Sequence, residues 1–161
     1  MSELKTVETE MKAIVFQLMD EEYGVDVHQV RSIERMQEIT RVPRTPSFVK
    51  GVINLRGIVT PVIDLRSRFD LEESEHTEET RIIIVNANDI EVGMIVDAAN
   101  DVIDVPVNAV EQAPKVVGGV DAEYLDGVAK LEKRLLILLN LEKVLNPEEM
   151  DSLRNFKEQS E

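Results

Sequence analysis

Gly51-Val52-Ile53-Asn54-Leu55-Arg56-Gly57-Ile58-Val59-Thr60-Pro61-Val62-Ile63-Asp64-Leu65-Arg66 is the stretch that decides the fold. Apolar runs of strand length flank Arg56-Gly57, so the segment predicts two short β-strands hinged at that dipeptide, with an arginine at the bend. Gly57 is expected to serve the backbone geometry of the hinge. Pro61 lacks an N–H, which predicts an edge position or a bulge in the second strand. The segment holds no nucleophile, metal cluster or phosphate loop. The best-marked place on this chain is therefore a surface for docking.

On the N-terminal side, residues 11–19 alternate as a strand with Ile14, Phe16 and Leu18 on one face. A polar turn at Asp20-Glu21-Glu22 leads to a second extended segment at Tyr23-Gly24-Val25. Asp26 is placed to cap a short helix that carries Val27 and Val30. Ile33 and Met36 continue the apolar pattern, as helix or strand. Residues 40–48 contain Pro43 and Pro46 and read as a loop.

On the C-terminal side, residues 65–69 predict one helical turn. Residues 71–80 (LEESEHTEET) carry five carboxylates and no Lys or Arg, the composition of an exposed connector. Residues 81–87 form an apolar run suited to a buried strand, and Asn88-Asp89 turns it back into residues 91–96. A further strand stops at Pro106. Residues 107–121 read as irregular, 127–131 and 134–139 as strands joined by a tight turn, and 141–145 as a short helix. Pro147 followed by two glutamates opens a final helix over about 147–157.

The expected fold is mainly β, of barrel type, with short helices and a C-terminal helix. It forms one domain over residues 1–161, with a first β-rich half at about 11–70, the acidic connector at about 71–80 and a second half at about 81–145. No internal repeat is strong enough to assert.

The chain of 161 residues is 43% apolar and only 4% aromatic, and it lacks Trp, so Val, Ile and Leu must fill its core. The absence of cysteine excludes disulfides, thiolate metal sites and Cys nucleophiles, and fits a reducing compartment. No segment approaches the roughly 20 apolar residues of a membrane helix, and the N-terminus has no apolar run. The expected location is cytoplasmic. A net charge of −14 argues against non-specific nucleic-acid or anionic-membrane binding. The charge is uneven. Between Arg31 and Arg68, eight Lys/Arg face three Asp/Glu, a local balance of +5 that leaves −19 elsewhere. Such a zone suits an oriented encounter with an acidic partner; solvated strand edges would look the same.

Reactive chemistry is poorly represented. Glu75, His76 and Glu78 lie in the connector, without the preorganised geometry a metal centre needs, so no metal or cofactor is expected. The pairs Glu21-Glu22, Glu72-Glu73 and Glu78-Glu79 sit in polar turns where both acids stay ionised. Asp64 and Asp97 lie within apolar strands, as outward-facing or hydrogen-bonded turn carboxylates. There is no G-x-S-x-G, and Gly118-Gly119 lacks the Lys-Ser/Thr of a P-loop. From spacing alone, Arg56 either forks onto a partner carboxylate or carbonyl, or bonds loop carbonyls of its own barrel. Val27, Val30 and Ile33 are either core or the lining of a groove for a partner helix.

The segment from Gly51 to Arg66 resembles the signature of the CheW family of bacterial chemotaxis coupling proteins. EEYGVDVHQVRSIE (21–34), RVPRTPSFVKG (41–51), GMIVDAANDVIDV (93–105) and RLLILLNLEKVL (134–145) agree in order and spacing, so the resemblance covers about residues 11–150. It implies two SH3-like β-barrels sharing a core, and no enzymatic activity. It also implies two partners: the helical cytoplasmic tip of chemoreceptors, and the regulatory domain of the histidine kinase CheA. Such an adaptor helps assemble signalling arrays at membrane-anchored receptors. The family's receptor-binding positions fall on Val27, Val30, Ile33 and Arg56. Gly51 matches a glycine kept for backbone room. Kinase contact uses the first subdomain, where Ile39 and Val42 are the expected residues. Two other readings stand beside this one. A CheV-type coupling domain would add a receiver of about 100 residues or more, whereas this chain stops at Glu161. A small ligand-binding β-barrel would need a closed pocket with convergent polar groups.

Overall fold

The computed structural model describes residues 10–117 and 119–146, so the expected C-terminal helix lies outside the described residues. The strands are β1 (Glu10–Leu18), β2 (Glu21–Asp26), β3 (Val30–Arg35), β4 (Val49–Leu55), β5 (Ile58–Asp64), β6 (Arg81–Ala87), β7 (Ile90–Val96), β8 (Ala98–Pro106), β9 (Val110–Glu111), β10 (Val116–Val117), β11 (Val120–Asp121), β12 (Leu125–Leu131) and β13 (Arg134–Leu139). Helical turns span Leu65–Arg68 and Leu141–Val144, and 3₁₀ turns span Val27–Gln29, Val107–Ala109 and Ala122–Tyr124.

These strands form a six-stranded sheet ordered β8-β1-β2-β13-β12-β9, a five-stranded sheet ordered β3-β6-β7-β5-β4, and a small β10-β11 ribbon. Chain continuity forces both large sheets to close. β8 and β9 lie at opposite ends of the first, yet only the Val107–Ala109 turn separates them. In the second, the chain leaving β3 reaches Thr40, which exchanges backbone bonds of 2.9 and 2.8 Å with Val52 on the outer edge of β4. Each sheet thus wraps its own interior. Ala13, Val15, Leu136 and Leu138 fill one barrel, while Ile53, Val62, Ile82 and Ile84 fill the other.

A third and larger core lies between the barrels, where Phe16, Tyr23 and Ile137 meet Ile63, Ile83 and Met94. This explains the unbroken apolar runs. In β6, Ile82 and Ile84 point into a barrel while Ile83 and Val85 point into the shared core, so neither face is polar. The expected pair of small barrels around a common core is the observed architecture.

The expected division at residues 71–80 is not where the sheets divide. Those residues connect β5 and its helical turn to β6, within one barrel. β1 and β2 instead join the strands of the C-terminal third, with β2 running parallel to β13. β13 buries apolar residues on both faces and needs a partner on each side; the first hairpin supplies one.

The two barrels are built alike. Gly24 of β2 lies beside the parallel strand β13, and Gly93 of β7 beside the parallel strand β5. A Cβ at Gly93 would stand 2.7 Å from Ile82 Cγ2, and one at Gly24 3.0 Å from Leu136 Cδ2. Gly51 and Gly127 both follow a bulge, with φ of 144° and 156°. Asp64 and Asn140 both cap the helical turn after the second hairpin, accepting from Arg66 N–H and Lys143 N–H. The pairs Gly51/Gly127, Leu55/Leu131, Asp64/Asn140 and Leu65/Leu141 recur at one constant offset. The chain therefore consists of two structurally similar repeats, each of which places its first hairpin in the other's barrel.

Pro61 is not on an edge, since β5 is an inner strand; the bulge in its pairing with β4 falls between Val49 and Gly51, opposite Ile63 and Val62. Val52 spends its backbone bonds on Thr40, so its cross-strand pairing with Pro61 requires none. Pairing of β5 with β7 begins only at Val62. The missing N–H therefore breaks no bond to β4.

Candidate docking surface

The β4–β5 hairpin turns through Arg56 and Gly57, whose φ values are 52° and 87°. Positive φ at both central residues is the type I′ pattern, whose twist matches the flanking strands. Asn54 Oδ1 accepts the Gly57 N–H at 2.7 Å and fixes the turn. Glycine suits its position, but arginine does not, because a left-handed conformation costs an L-residue roughly 1–2 kcal/mol. The β6–β7 hairpin places Asn88-Asp89 at its own left-handed turn, the residue types that tolerate it. Met19 and Arg44 share this backbone region, with φ of 60° and 63°, and like Arg56 they are side chains that rarely adopt it.

The Arg56 side chain is 70% exposed, and its Nη2 meets Glu34 Oε2 at 3.4 Å. The contact ties the turn to β3 and leaves most guanidinium donors facing water. Among the described residues no loop carbonyl takes an Arg56 bond. Ile58 and Val59, just past the turn, are exposed, and so is Ile33 on β3. Ile58 and Val59 adjoin the hinge in the sequence, whereas Glu34 lies 22 residues before Arg56 and is brought to it only by the fold.

The other expected receptor-facing residues do not form one helical stripe. Val27 lies on the 3₁₀ turn, held by Asp26, which accepts the His28 N–H at 2.9 Å. Val30 and Ile33 lie on β3, so Ile33 is settled as strand. Val27 and Val30 are half-buried against the shared core, whereas Ile33 stands out at 43% exposure. Ile39 packs against the interior of the five-stranded barrel. Val42 is half-buried in the proline-flanked loop, where its carbonyl accepts from Thr45 Oγ1. Gly51 is required sterically, since a Cβ there would stand 2.0 Å from Thr40 O.

Asp97 sits where the barrels join, between β7 and β8. It takes Arg66 Nε at 3.0 Å and Nη2 at 2.5 Å, and accepts the Met19 N–H of the β1–β2 turn at 2.8 Å. Hydrogen bonding to Asp97 raises the already basic Arg66 guanidinium further. Asp64 is buried, and desolvation pushes its carboxyl above the usual range, against bonds from the Arg66 and Ser67 amides. Both carboxylates therefore serve the fold, and neither shares a site with Arg56. No helix among the described residues is long and apolar enough to cross a membrane.

Two intertwined barrels, with Asp64 and Asp97 held in structural bonds and the Arg56 turn exposed, make a β-barrel module with a candidate docking surface. A family model described as the CheW-like domain matches residues 12–149. The chain is 49% identical over 151 residues to the chemotaxis protein CheW of Bacillus subtilis (94% of this chain, 95% of that protein). It is 39% identical over 142 residues to CheW of Klebsiella aerogenes (88% and 86%). The crystal structure of the scaffolding protein TtCheW from Thermoanaerobacter tengcongensis superposes with a TM-score of 0.79 at 36% identity, covering 86% of this chain and 94% of that one. The chain belongs to the CheW family, a family of chemotaxis adaptors that couple receptors to the kinase CheA. The CheV-type alternative is not favoured beside these near-full-length matches.

Proposed function

We propose that this chain works without catalysis, as a cytoplasmic adaptor that holds a chemoreceptor tip and the CheA regulatory domain together at membrane-anchored arrays. The observation that carries the receptor side is the arginine kept in a left-handed turn, 70% exposed and flanked by exposed Ile58 and Val59. A helical coiled-coil tip offers carboxylates for the guanidinium and an apolar stripe for Ile33 and its neighbours. Val27 and Val30 support that surface from below. The kinase side is assigned to the loop bearing Ile39 and Val42. Ile39 is spent on the barrel interior, so Val42 is the contact to test. Modest affinity on each side suffices, because an array multiplies weak contacts.

The test is co-sedimentation with a receptor-tip fragment and with CheA, separately and together. Arg56→Ala keeps its circular dichroism spectrum and loses receptor binding. Full receptor binding by a folded Arg56→Ala variant would remove Arg56 from the surface.

A further inference from the structure

Arg35 of β3 and Arg81 of β6 stand directly opposite each other in the antiparallel ladder. Like charges in facing positions repel, and sheets usually avoid the arrangement. Here both arginines line an open cavity of about 460 Å³ together with Met36, Thr77, Glu78 and Thr80. Arg81 is anchored, because its Nη1 donates to the carbonyls of Glu78 at 2.7 Å and Thr80 at 2.9 Å. Those bonds consume main-chain oxygens and leave the charge unneutralised. Arg35 is exposed, and among the described residues its guanidinium has no hydrogen-bond or ion-pair partner.

We propose that Arg35 and Arg81 form a clamp for a carboxylate side chain on a docking protein. Cross-strand neighbours lie close enough for two guanidiniums to converge on one anion. The two arginines against Glu78 leave the lining at +1, which one carboxylate cancels. Met36 gives the same cavity an apolar wall for the methylenes of an acidic side chain. Exposed Arg31, Arg41 and Arg44 belong to the same basic zone of an otherwise acidic molecule, which favours an acidic protein as the occupant. The clamp is separate from the Arg56 turn and does not depend on the partners assigned above.

The experiment uses the full chain, isotope-labelled, titrated with the blocked peptide acetyl-Glu-Leu-Glu-Leu-amide and with its Gln counterpart at constant ionic strength. The acidic peptide should shift the Arg35, Thr77, Thr80 and Arg81 amides saturably, and the Gln peptide should not. Arg35→Gln should weaken that binding about tenfold or more, the loss of one charge-assisted bond. Arg31→Gln, outside the cavity, removes the same charge and should weaken the binding far less, through the screened field of the basic zone alone. Equal binding by the Gln peptide, or equal weakening by Arg31→Gln and Arg35→Gln, would overturn the clamp. Saturable shifts with inorganic phosphate but none with the acidic peptide would overturn the assignment of a protein carboxylate as occupant.

Discussion

Replacing Arg56 with asparagine separates what the turn costs from what it does. The backbone there has φ of 52°, and Gly57 follows with φ of 87°. An L-residue in this region costs roughly 1–2 kcal/mol, and asparagine escapes much of that because its short polar side chain bonds locally. Against this gain stands the loss of the contact with Glu34, which at 3.4 Å and 70% exposure is weak. Exposed pairs contribute about 0.2–1 kcal/mol, and one at 3.4 Å falls at the low end. The net expectation is a variant more stable by about 0.5–1 kcal/mol. For a domain of this size that raises Tm by about 1–4 °C. Calorimetry or urea unfolding at constant pH measures it, with Arg56→Ala alongside. Alanine keeps the left-handed penalty and loses the contact, so it should be neutral or slightly less stable. Both variants should lose receptor binding. If Arg56→Asn is less stable than the parent, the left-handed turn is not a stability cost and the functional reading of the strain fails.

Three more perturbations probe the scaffold. Tyr23 is fully buried and stacks on Phe16 at 5.7 Å, but among the described residues its hydroxyl has no hydrogen-bond partner, and burial pushes its pKa up to about 12. Tyr23→Phe should therefore be neutral or stabilise by about 1 kcal/mol, read from the urea midpoint. Asp64 is held above its ordinary value of 3.8 by burial. A raised carboxyl favours folding below its unfolded pKa, and that contribution is lost as pH rises through the folded value. Asp64→Asn, which retains the cap, should then be the more stable protein at neutral pH. Its advantage should vanish in a Tm–pH profile below the carboxylate range. Gly51→Ala would press a Cβ to within 2.0 Å of Thr40 O at φ 144°, so it should cost more than about 3 kcal/mol and abolish the cooperative melt.

Local chemistry was legible in the sequence and long-range pairing was not. The Arg56-Gly57 and Asn88-Asp89 hinges, the Asp26 cap and the helical turn after Asp64 follow from turn and capping preferences, and all stand where expected. The spacing of three from Val27 through Val30 and Ile33 to Met36 suits a helix, whereas residues 30–35 form a strand whose alternation is blurred by a bulge between Val30 and Ser32. The division of the chain failed because nothing in residues 11–26 records that β2 will lie beside β13. A polar connector marks solvent exposure, and solvent exposure need not coincide with a boundary between sheets. The repeat is faint in the sequence because its two copies agree mainly where geometry dictates the residue, at Gly51/Gly127 and Asp64/Asn140. Elsewhere any apolar side chain fills the place. Arg56, the residue proposed above for docking, stands at the hinge where the sequence puts it, and its side chain is exposed. The split of Val27 and Val30 from Ile33 depends on the shared core and had no local signal.

The hairpin exchange between the two repeats has a topological consequence. Severing the backbone inside residues 71–80 would yield pieces that each own half of both barrels and a complete version of neither. Such fragments must fold upon one another, as an obligate complementing pair. The module is indivisible because each barrel draws its strands from both sides of that connector.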